Sequence, residues 1–488
     1  MRGRFAPYVI GMGLIGLALC MLGFFVYALI FNEPFLGFLI ASLTAALLGI
    51  ILRGFGERTA DPSRREALIG VLLLWLVIPA FAAVPFALSG HLSPLNAMFE
   101  SMSGFTTTGA TVIRDFESFP KSLFMWRSLI QWFGGVGIIV LFIAVLPQLA
   151  IAGRQLFFAE APGPTEEKLS PRLRNTSNAV LYVYVGLTFA CIVLYWLGGM
   201  SFYDAISHAF TTLAAGGFSP NGLSFQEYPP ILSWISVIFM LLAGANFALL
   251  YRAFSGRPKS LVRDPEFKTY VAISIIASLL IAYAIRNIYT PADALRHGFF
   301  QSLSILTTTG YASTDFALWP APAQMVLLIL MFIGGSAGSA GGGIKVVRWL
   351  MIVKNTAREV RRALHPRGVF PVRLGGRVIP EEVLRAVAAF ITLYVGLFAT
   401  TTSLLVAFGA DFVTAFTATI ACIGNVGPGL ASVGPMANFA DLHPISRGLL
   451  TFAMYAGRLE VVTVFVVFDP QWWRLPRKGF RKKPVSKK

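Results

Sequence analysis

The segment "FTTTGATV", residues 105–112, places four threonines, a glycine and an alanine between two stretches apolar enough for a lipid bilayer. Hydroxyls and glycine are poor material for a lipid-facing helix. A close copy, "ILTTTGYAS", stands at 305–313. Aligned without gaps, four segments repeat one pattern: "SMSGFTTTGATVI" (101–113), "HAFTTLAAGGFSP" (208–220), "SLSILTTTGYAST" (302–314) and "FTATIACIGNVGP" (416–428). In this register one column is glycine throughout, at Gly109, Gly216, Gly310 and Gly424, and the residue two before it is small: Thr107, Ala214, Thr308 and Cys422. The glycines are 107, 94 and 114 residues apart. A period near 100 residues is that of one membrane hairpin with its insert, so internal repetition decides the fold.

The surroundings are those of a polytopic membrane protein. The chain has 488 residues, 56% hydrophobic and 13% charged, with mean hydropathy +0.69; soluble domains carry about 25% charged residues. Ten spans are read, at about 5–31, 34–52, 66–88, 123–148, 178–200, 230–254, 269–289, 322–352, 383–408 and 444–468. The first exceeds the roughly 7–15 apolar residues of a signal-peptide core and reads as a retained span. After the first two, spans pair off, and each pair encloses a short helical piece (95–105, 202–212, 293–306, 412–420) followed by one of the glycine segments. A piece of that size is too short to cross a bilayer, which takes about 20 residues. A re-entrant half-helix with a loop fits, because irregular backbone at membrane depth must be buried in protein or line a watery cavity.

The net charge of +17 is a topology signal. Alternate connections hold 33 of the 40 Lys and Arg residues. They are Arg2 and Arg4; Arg53, Arg58, Arg64 and Arg65; Arg154, Lys168, Arg172 and Arg174; Arg252, Arg257, Lys259, Arg263 and Lys268; ten from Lys345 to Arg385; and eight from Arg474 to Lys488. By the positive-inside rule both termini are cytoplasmic, and the basic loops attract anionic lipid rather than nucleic acid. Cys20, Cys191 and Cys422 are far apart, and the five histidines show no ligand spacing, so neither a disulfide framework nor a metal cage is expected.

Four re-entrant loops in one chain can surround a single axis. Glycine there can adopt φ > 0 and brings backbone close to an ion. Rings of carbonyls replace the water shell of a monovalent cation such as potassium, and the C-terminal end of each half-helix favours positive charge. The alternative is close helix packing by small residues. It applies also to a second repeated column, Gly135, Gly244, Gly335 and Gly457, in "FGGVG", "LAGAN", "IGGSA" and "YAGRL".

"GGSAGSAGGGIK" (334–345) interrupts the eighth span. Six glycines in its first ten residues oppose a helix, at about 1 kcal/mol each against alanine. The fit of residues 334–338 to G-x-S-x-G lacks the strand–turn–helix setting and histidine of a hydrolase elbow, and Lys345 is misplaced for a phosphate loop. The segment reads as an intramembrane gate, formed by Gly334, Gly335, Ser336, Gly338, Gly341, Gly342 and Gly343 with Arg458. The arginine lies at a similar depth in the last span, where a charge marks an ion pathway or a buried pair, with Glu460 as one candidate partner. Arg127, nearer an outer end, reads as free to snorkel.

The four glycine segments, "GGSAGSAGGGIK" and "GRLE" (457–460) together resemble the Trk/Ktr/HKT superfamily of potassium transporters, most closely its bacterial TrkH branch, over essentially the whole chain. The resemblance implies an all-α integral membrane protein of ten transmembrane helices. Two N-terminal spans (1–65) precede four span–pore-helix–span units (66–150, 151–260, 261–375 with the gate, 376–470) and a basic tail (471–488). It implies K+ uptake across the cell inner membrane, a homodimer, and a cytosolic TrkA-type nucleotide-binding ring. The implied filter residues are Thr107, Thr108 and Gly109; Ala214, Ala215 and Gly216; Thr308, Thr309 and Gly310; and Ile423, Gly424 and Asn425. Plant relatives pair glycine at the first filter with potassium and serine with sodium, so Gly109 implies potassium. Ala340 departs from the threonine that relatives tend to carry. A sodium-conducting member, a coupled symporter and an intramembrane hydrolase are the alternatives.

Overall fold

The computed structural model describes residues 4–57, 63–144 and 169–473. The expected inner-side residues Arg2, Arg58, Arg154 and Lys168, the end of the fourth span at 145–148 and the tail Arg474–Lys488 lie outside the described residues. The described chain is helical apart from a two-residue antiparallel pairing, β1 (Arg373–Leu374) with β2 (Arg377–Val378).

Helices α1 (Phe5–Ile30) and α2 (Leu36–Phe55) are apolar around their whole circumference, and leucines, isoleucines and phenylalanines such as Leu19, Ile30, Leu43, Leu47 and Ile50 remain exposed. That surface suits hydrocarbon. The two cross at Gly11 and Gly49, where a β-carbon on Gly11 would lie 2.7 Å from the Gly49 carbonyl. Small residues permit this approach, and dispersion over the contact then holds the pair.

Four units follow. Unit 1 has α3 (Arg64–Ala82), continued by α4 (Val84–Leu88), then α5 (Pro94–Phe105) and α6 (Lys121–Ala144). Unit 2 has α7 (Leu169–Leu197), α8 (Phe202–Leu213), α9 (Pro230–Ala243) and α10 (Phe247–Phe254). After α11 (Lys259–Arg263), unit 3 has α12 (Pro265–Ala284), α13 (Pro291–Leu306), α14 (Ala321–Ile333) and α15 (Val346–Leu364). Unit 4 has α16 (Glu381–Ala407), α17 (Phe412–Ile423), α18 (Pro444–Arg458) and α19 (Val461–Phe465). Among the described residues six helices are long and apolar enough to cross a membrane, or eight if each of two bent pairs counts as one span. The protein is therefore a multi-pass membrane protein.

Two spans expected as single helices, 230–254 and 444–468, are sharply bent: α9 meets α10 at 104°, and the segments flanking Leu459 and Glu460 meet at 110°. The first break has a local cause. Gly244 ends α9, and the Asn246 side chain caps α10 by accepting the Leu249 N–H at 3.0 Å. At the second, Glu460 sits at φ +63°, outside the helical range.

The short helices α5, α8, α13 and α17 are built alike. Each has a polar N-cap (Ser93, Ser201, Thr290, Asp411) whose side chain accepts a backbone N–H of the first turn. Their 12, 12, 16 and 12 residues correspond to about 18–24 Å, short of a bilayer crossing.

Candidate ion pathway

Each short helix ends in the same way. The caps are Thr106, Ala214, Thr307 and Gly424. The next residues, Thr107, Ala215, Thr308 and Asn425, are left-handed, at φ +51°, +53°, +61° and +55°. Their N–H groups, and those of Thr108, Gly216, Thr309 and Val426 after them, turn back onto the last helical carbonyls at 2.7–3.2 Å. This is a Schellman closure, repeated four times. Its left-handed position usually holds glycine; threonine there, twice, is a strained choice, and such strain gathers at functional sites.

One residue further on stand Gly109, Gly217, Gly310 and Gly427, at φ +82°, +71°, +82° and +101°. A β-carbon on Gly109 would strike the Gly216 carbonyl, one on Gly217 the Thr309 carbonyl, one on Gly310 the Val426 carbonyl, and one on Gly427 the Thr108 carbonyl. The last approach is 2.7 Å and the others are closer. The contacts run from unit 1 to 2, 2 to 3, 3 to 4 and 4 back to 1, so the four loops close into a ring.

This geometry corrects the register read from the sequence. Gly216 is one residue early, and Gly424 is three early: it is the cap of α17, at φ −80°. In the ring's register the triplets are Thr107-Thr108-Gly109, Ala215-Gly216-Gly217, Thr308-Thr309-Gly310 and Asn425-Val426-Gly427. Ala214 and Ile423 belong to the helix ends. The ungapped alignment failed because units 2 and 4 each hold more than one glycine in the segment.

The limb beyond each glycine is tied to its own helix. The Glu100 carboxylate accepts the Val112 N–H at 2.9 Å, and Gln301 accepts the Ser313 N–H at 2.8 Å. His208 meets Ser219 Oγ at 3.0 Å, and Thr417 accepts the Leu430 N–H at 3.0 Å. Glu100, His208 and Gln301 all stand nine residues before a ring glycine. That spacing was the signal that could have fixed the register of unit 2.

A family model described as "TrkH: Cation transport protein" matches residues 57–474. The "Trk system potassium uptake protein TrkH" of Vibrio parahaemolyticus is 40% identical over 422 residues, covering 84% of this chain and 86% of the relative. That of Escherichia coli K12 is 40% identical over 420 residues with the same coverage, and the E. coli "Trk system potassium uptake protein TrkG" is 36% identical over 419. The crystal structure of the potassium transporter TrkH from V. parahaemolyticus matches with a TM-score of 0.89 and 36% identity, covering 97% of this chain and 100% of the other. The chain belongs to the TrkH family. That family consists of transport proteins, not enzymes, which removes the hydrolase alternative.

In this TrkH-family chain the interruption at 334–345 lies against the ring. Gly341 abuts the Thr307 carbonyl, Gly342 abuts Asn425, and the Gly342 N–H donates to Thr308 Oγ1 at 2.6 Å. Arg458 is buried; its Nη1 donates to the Ala340 carbonyl at 2.8 Å and its Nη2 to the Gly134 carbonyl at 3.3 Å. Glu460 is not its partner. That carboxylate is paired with Arg348 at 2.6 Å. The loop's backbone groups are also paired with a neighbouring break. Gly338 accepts from Phe247 N–H at 3.1 Å, while Ser336 and Ala340 donate to the Gly244 and Ala243 carbonyls at 2.9 and 3.2 Å. The break between α9 and α10 and the break between α14 and α15 thus satisfy each other's backbone groups, as buried polar backbone requires.

The second glycine column divides. Gly135 packs on Ala214 and Gly244 on Thr307, each at the cap of the next unit. Gly457 packs on the Ile423 carbonyl, as Gly134 packs on the Phe105 carbonyl. Arg458 therefore stands at the level of Gly135 and Gly244. Where two units place glycine, unit 4 places a charge.

Several residues that matter were given another role, or none, in the sequence. Arg127 does not snorkel: it is buried, pairs with Glu100 at 2.7 Å, donates to the Ser219 carbonyl at 3.2 Å and covers the Phe218 ring at 3.7 Å. It ties the outer limbs of units 1 and 2 together. Buried Glu266, at the start of α12, accepts the N–H of Ala337 at 2.7 Å and of Val347 at 3.2 Å, so one carboxylate spans both ends of the loop. Lys345, at φ +83°, donates to the Gly341 carbonyl within the loop. Gln131, also buried, reaches across to the loop of unit 2.

Proposed function

We propose that the chain is the ion-translocating subunit of a potassium uptake system. The observation carrying this reading is the closed ring of four left-handed loops, each at the C-terminal end of a short buried helix. Four partly negative helix ends converge there, and the ring glycines leave no side chain between backbone and axis. Dehydrated K+ passes the carbonyls of the four corrected triplets, which stand in for its water shell. The names of the relatives, all of them potassium uptake proteins, agree.

In this reading the ten spans, the two-plus-eight arrangement and the cytoplasmic termini stand as in the sequence analysis, within a cell inner membrane. Potassium enters down its electrochemical gradient. The loop at 334–345, held by Arg458, closes the path beneath the ring. A homodimer and a cytosolic nucleotide-binding ring of TrkA type complete the system, the ring docking on the basic cytoplasmic loops and drawing the gate aside.

The test is rubidium uptake into proteoliposomes of the purified protein, with potassium and sodium as competitors. Potassium suppresses uptake at far lower concentration than sodium. Equal suppression by the two ions would replace the potassium filter by an unselective cation path.

A further inference from the structure

The four loops of the ring are not braced alike. Units 1 and 3 brace themselves: Thr106 and Thr108 share a hydroxyl–hydroxyl bond of 2.8 Å, and Thr307 and Thr309 share another of 2.8 Å. Unit 2 has Ala214 and Gly216 at these two places, and unit 4 has Gly424 and Val426, so neither can form the pair. In unit 4 the Asn425 amide takes over, its Nδ2 donating to Thr108 Oγ1 of unit 1 and to the Met454 carbonyl, both at 3.0 Å.

In unit 2 the brace comes from outside the unit. Gln131, on α6 of unit 1, is fully buried. Its Nε2 donates to the Gly216 carbonyl at 2.7 Å, and its Oε1 accepts the Phe218 N–H at 3.1 Å. The amide thus spans the ring glycine Gly217 from both sides. A β-carbon on Gly216 would lie 2.5, 2.6 and 2.8 Å from Cδ, Oε1 and Nε2 of this amide. Gly216 is therefore glycine for room, not for φ: its backbone is not left-handed, and the same place holds Thr108, Thr309 and Val426 in the other units. Met240 and Met454 stand at the level of Gln131 in units 2 and 4, three residues before Ala243 and Gly457 as Gln131 is before Gly134. Of these positions the one with an amide faces unit 2, one of the two loops without the hydroxyl pair.

We propose that Gln131 is a selectivity-determining residue of the cation path, substituting from the neighbouring unit for the hydroxyl pair that unit 2 lacks. The proposal rests on the reading of the ring as a potassium filter. A hydrogen bond donated to the Gly216 carbonyl fixes its direction and draws off part of its negative charge. Both position and field strength of the carbonyls govern which ion replaces its water shell there. Gln131 acts on the ion through that carbonyl, so it is a positioning residue, and its signature is the ion ratio rather than the total flux.

The experiment measures K+ and Na+ flux through the purified, monodisperse protein in liposomes. Gln131→Met keeps the volume and removes both hydrogen bonds; the K+/Na+ ratio falls by about tenfold, the scale of one buried hydrogen bond left unmade. The triple change Gln131→Ala, Ala214→Thr, Gly216→Thr clears the crowding amide and installs the hydroxyl pair of units 1 and 3; the ratio returns towards that of the unaltered protein. A well-folded Gln131→Met with an unchanged ratio overturns the proposal. Should that variant fail to fold, the triple variant decides: a selective protein supports the exchange, and an unselective flux overturns it. An unaltered protein with no preference for potassium would sink the filter reading itself, before either variant is made.

Discussion

The ring and the loop beneath it are both glycine-rich, buried and irregular, yet they are held in opposite ways. The ring is made four times, with one Schellman closure, one glycine-on-carbonyl contact and one tied outer limb per unit. The loop at 334–345 occurs once. Besides its backbone bonds to the α9–α10 break, it is fastened by side chains: Arg458 at Ala340, Glu266 at Ala337, Thr308 at Gly342 and Lys345 at Gly341. An element built from the same contacts four times over, each unit closing on the next, has one arrangement. An element fixed by a few polar side chains can exchange them for others at small net cost, which is what a moving part needs. On the function proposed above, selectivity and gating divide along that line.

The comparison breaks first at the Glu100–Arg127 pair, where the largest effect is expected. Arg127→Met leaves the Glu100 charge buried and unpaired, which costs about 3–5 kcal/mol. The variant should lose thermal stability and monodispersity in detergent. Glu100→Gln added to Arg127→Met copies the neutral arrangement of unit 3, where Gln301 accepts the Ser313 N–H, and should recover most of the loss. If Arg127→Met melts like the parent protein, the outer limbs are not the fixed part described above.

Arg458 should behave differently. Its removal strands no carboxylate, because Glu460 is held by Arg348, and the folded protein should survive. With two unit charges about 6 Å apart at an effective dielectric near 20, the repulsion is roughly 3 kcal/mol, or about a hundredfold in rate. Arg458→Ala should therefore raise basal rubidium flux in liposomes without any partner, by up to that factor. Unchanged or lower flux through well-folded protein would remove Arg458 from the gate.

How far the sequence carried the reading depends on periodicity. The helical, many-span character and the short helices could be read because apolar length and repetition are local signals: 412–420 became Phe412–Ile423, and 95–105 became Pro94–Phe105. The bends at Gly244 and Glu460 were not visible, because one or two polar residues or a glycine inside an apolar stretch do not by themselves specify a bend. That Arg458 meets the loop was legible from their similar depth, and the acceptor is the Ala340 carbonyl, 118 residues away; that Glu460 pairs with Arg348 instead was not, since nothing in either segment specifies it. Gln131 was hidden for the same reason, since its meaning lies in what Gly216 lacks. The register of the ring was an avoidable error, given the polar residue nine places before three of its glycines.

That register supplies the finest test, because the two readings of unit 4 name different glycines. Gly424 caps α17 at φ −80°, and a β-carbon there meets its own helix carbonyl, Ile420 O, at 2.8 Å and nothing else closer than 3.3 Å. Gly427 sits at φ +101°, with the Thr108 carbonyl of unit 1 2.7 Å from where a β-carbon would be. Left-handed backbone costs an L residue about 1–2 kcal/mol before any collision is relieved. Relief can come only from shifting Thr108, a member of the neighbouring triplet. Gly427→Ala should thus lower the K+/Na+ flux ratio by about tenfold, as strain of this size implies. Gly424→Ala should change it little, since the small clash is with the helix's own last turn and leaves unit 1 alone. The reverse ranking would restore the column Gly109, Gly216, Gly310 and Gly424. It would also mean that the ring contacts, however regular, do not set the ion preference.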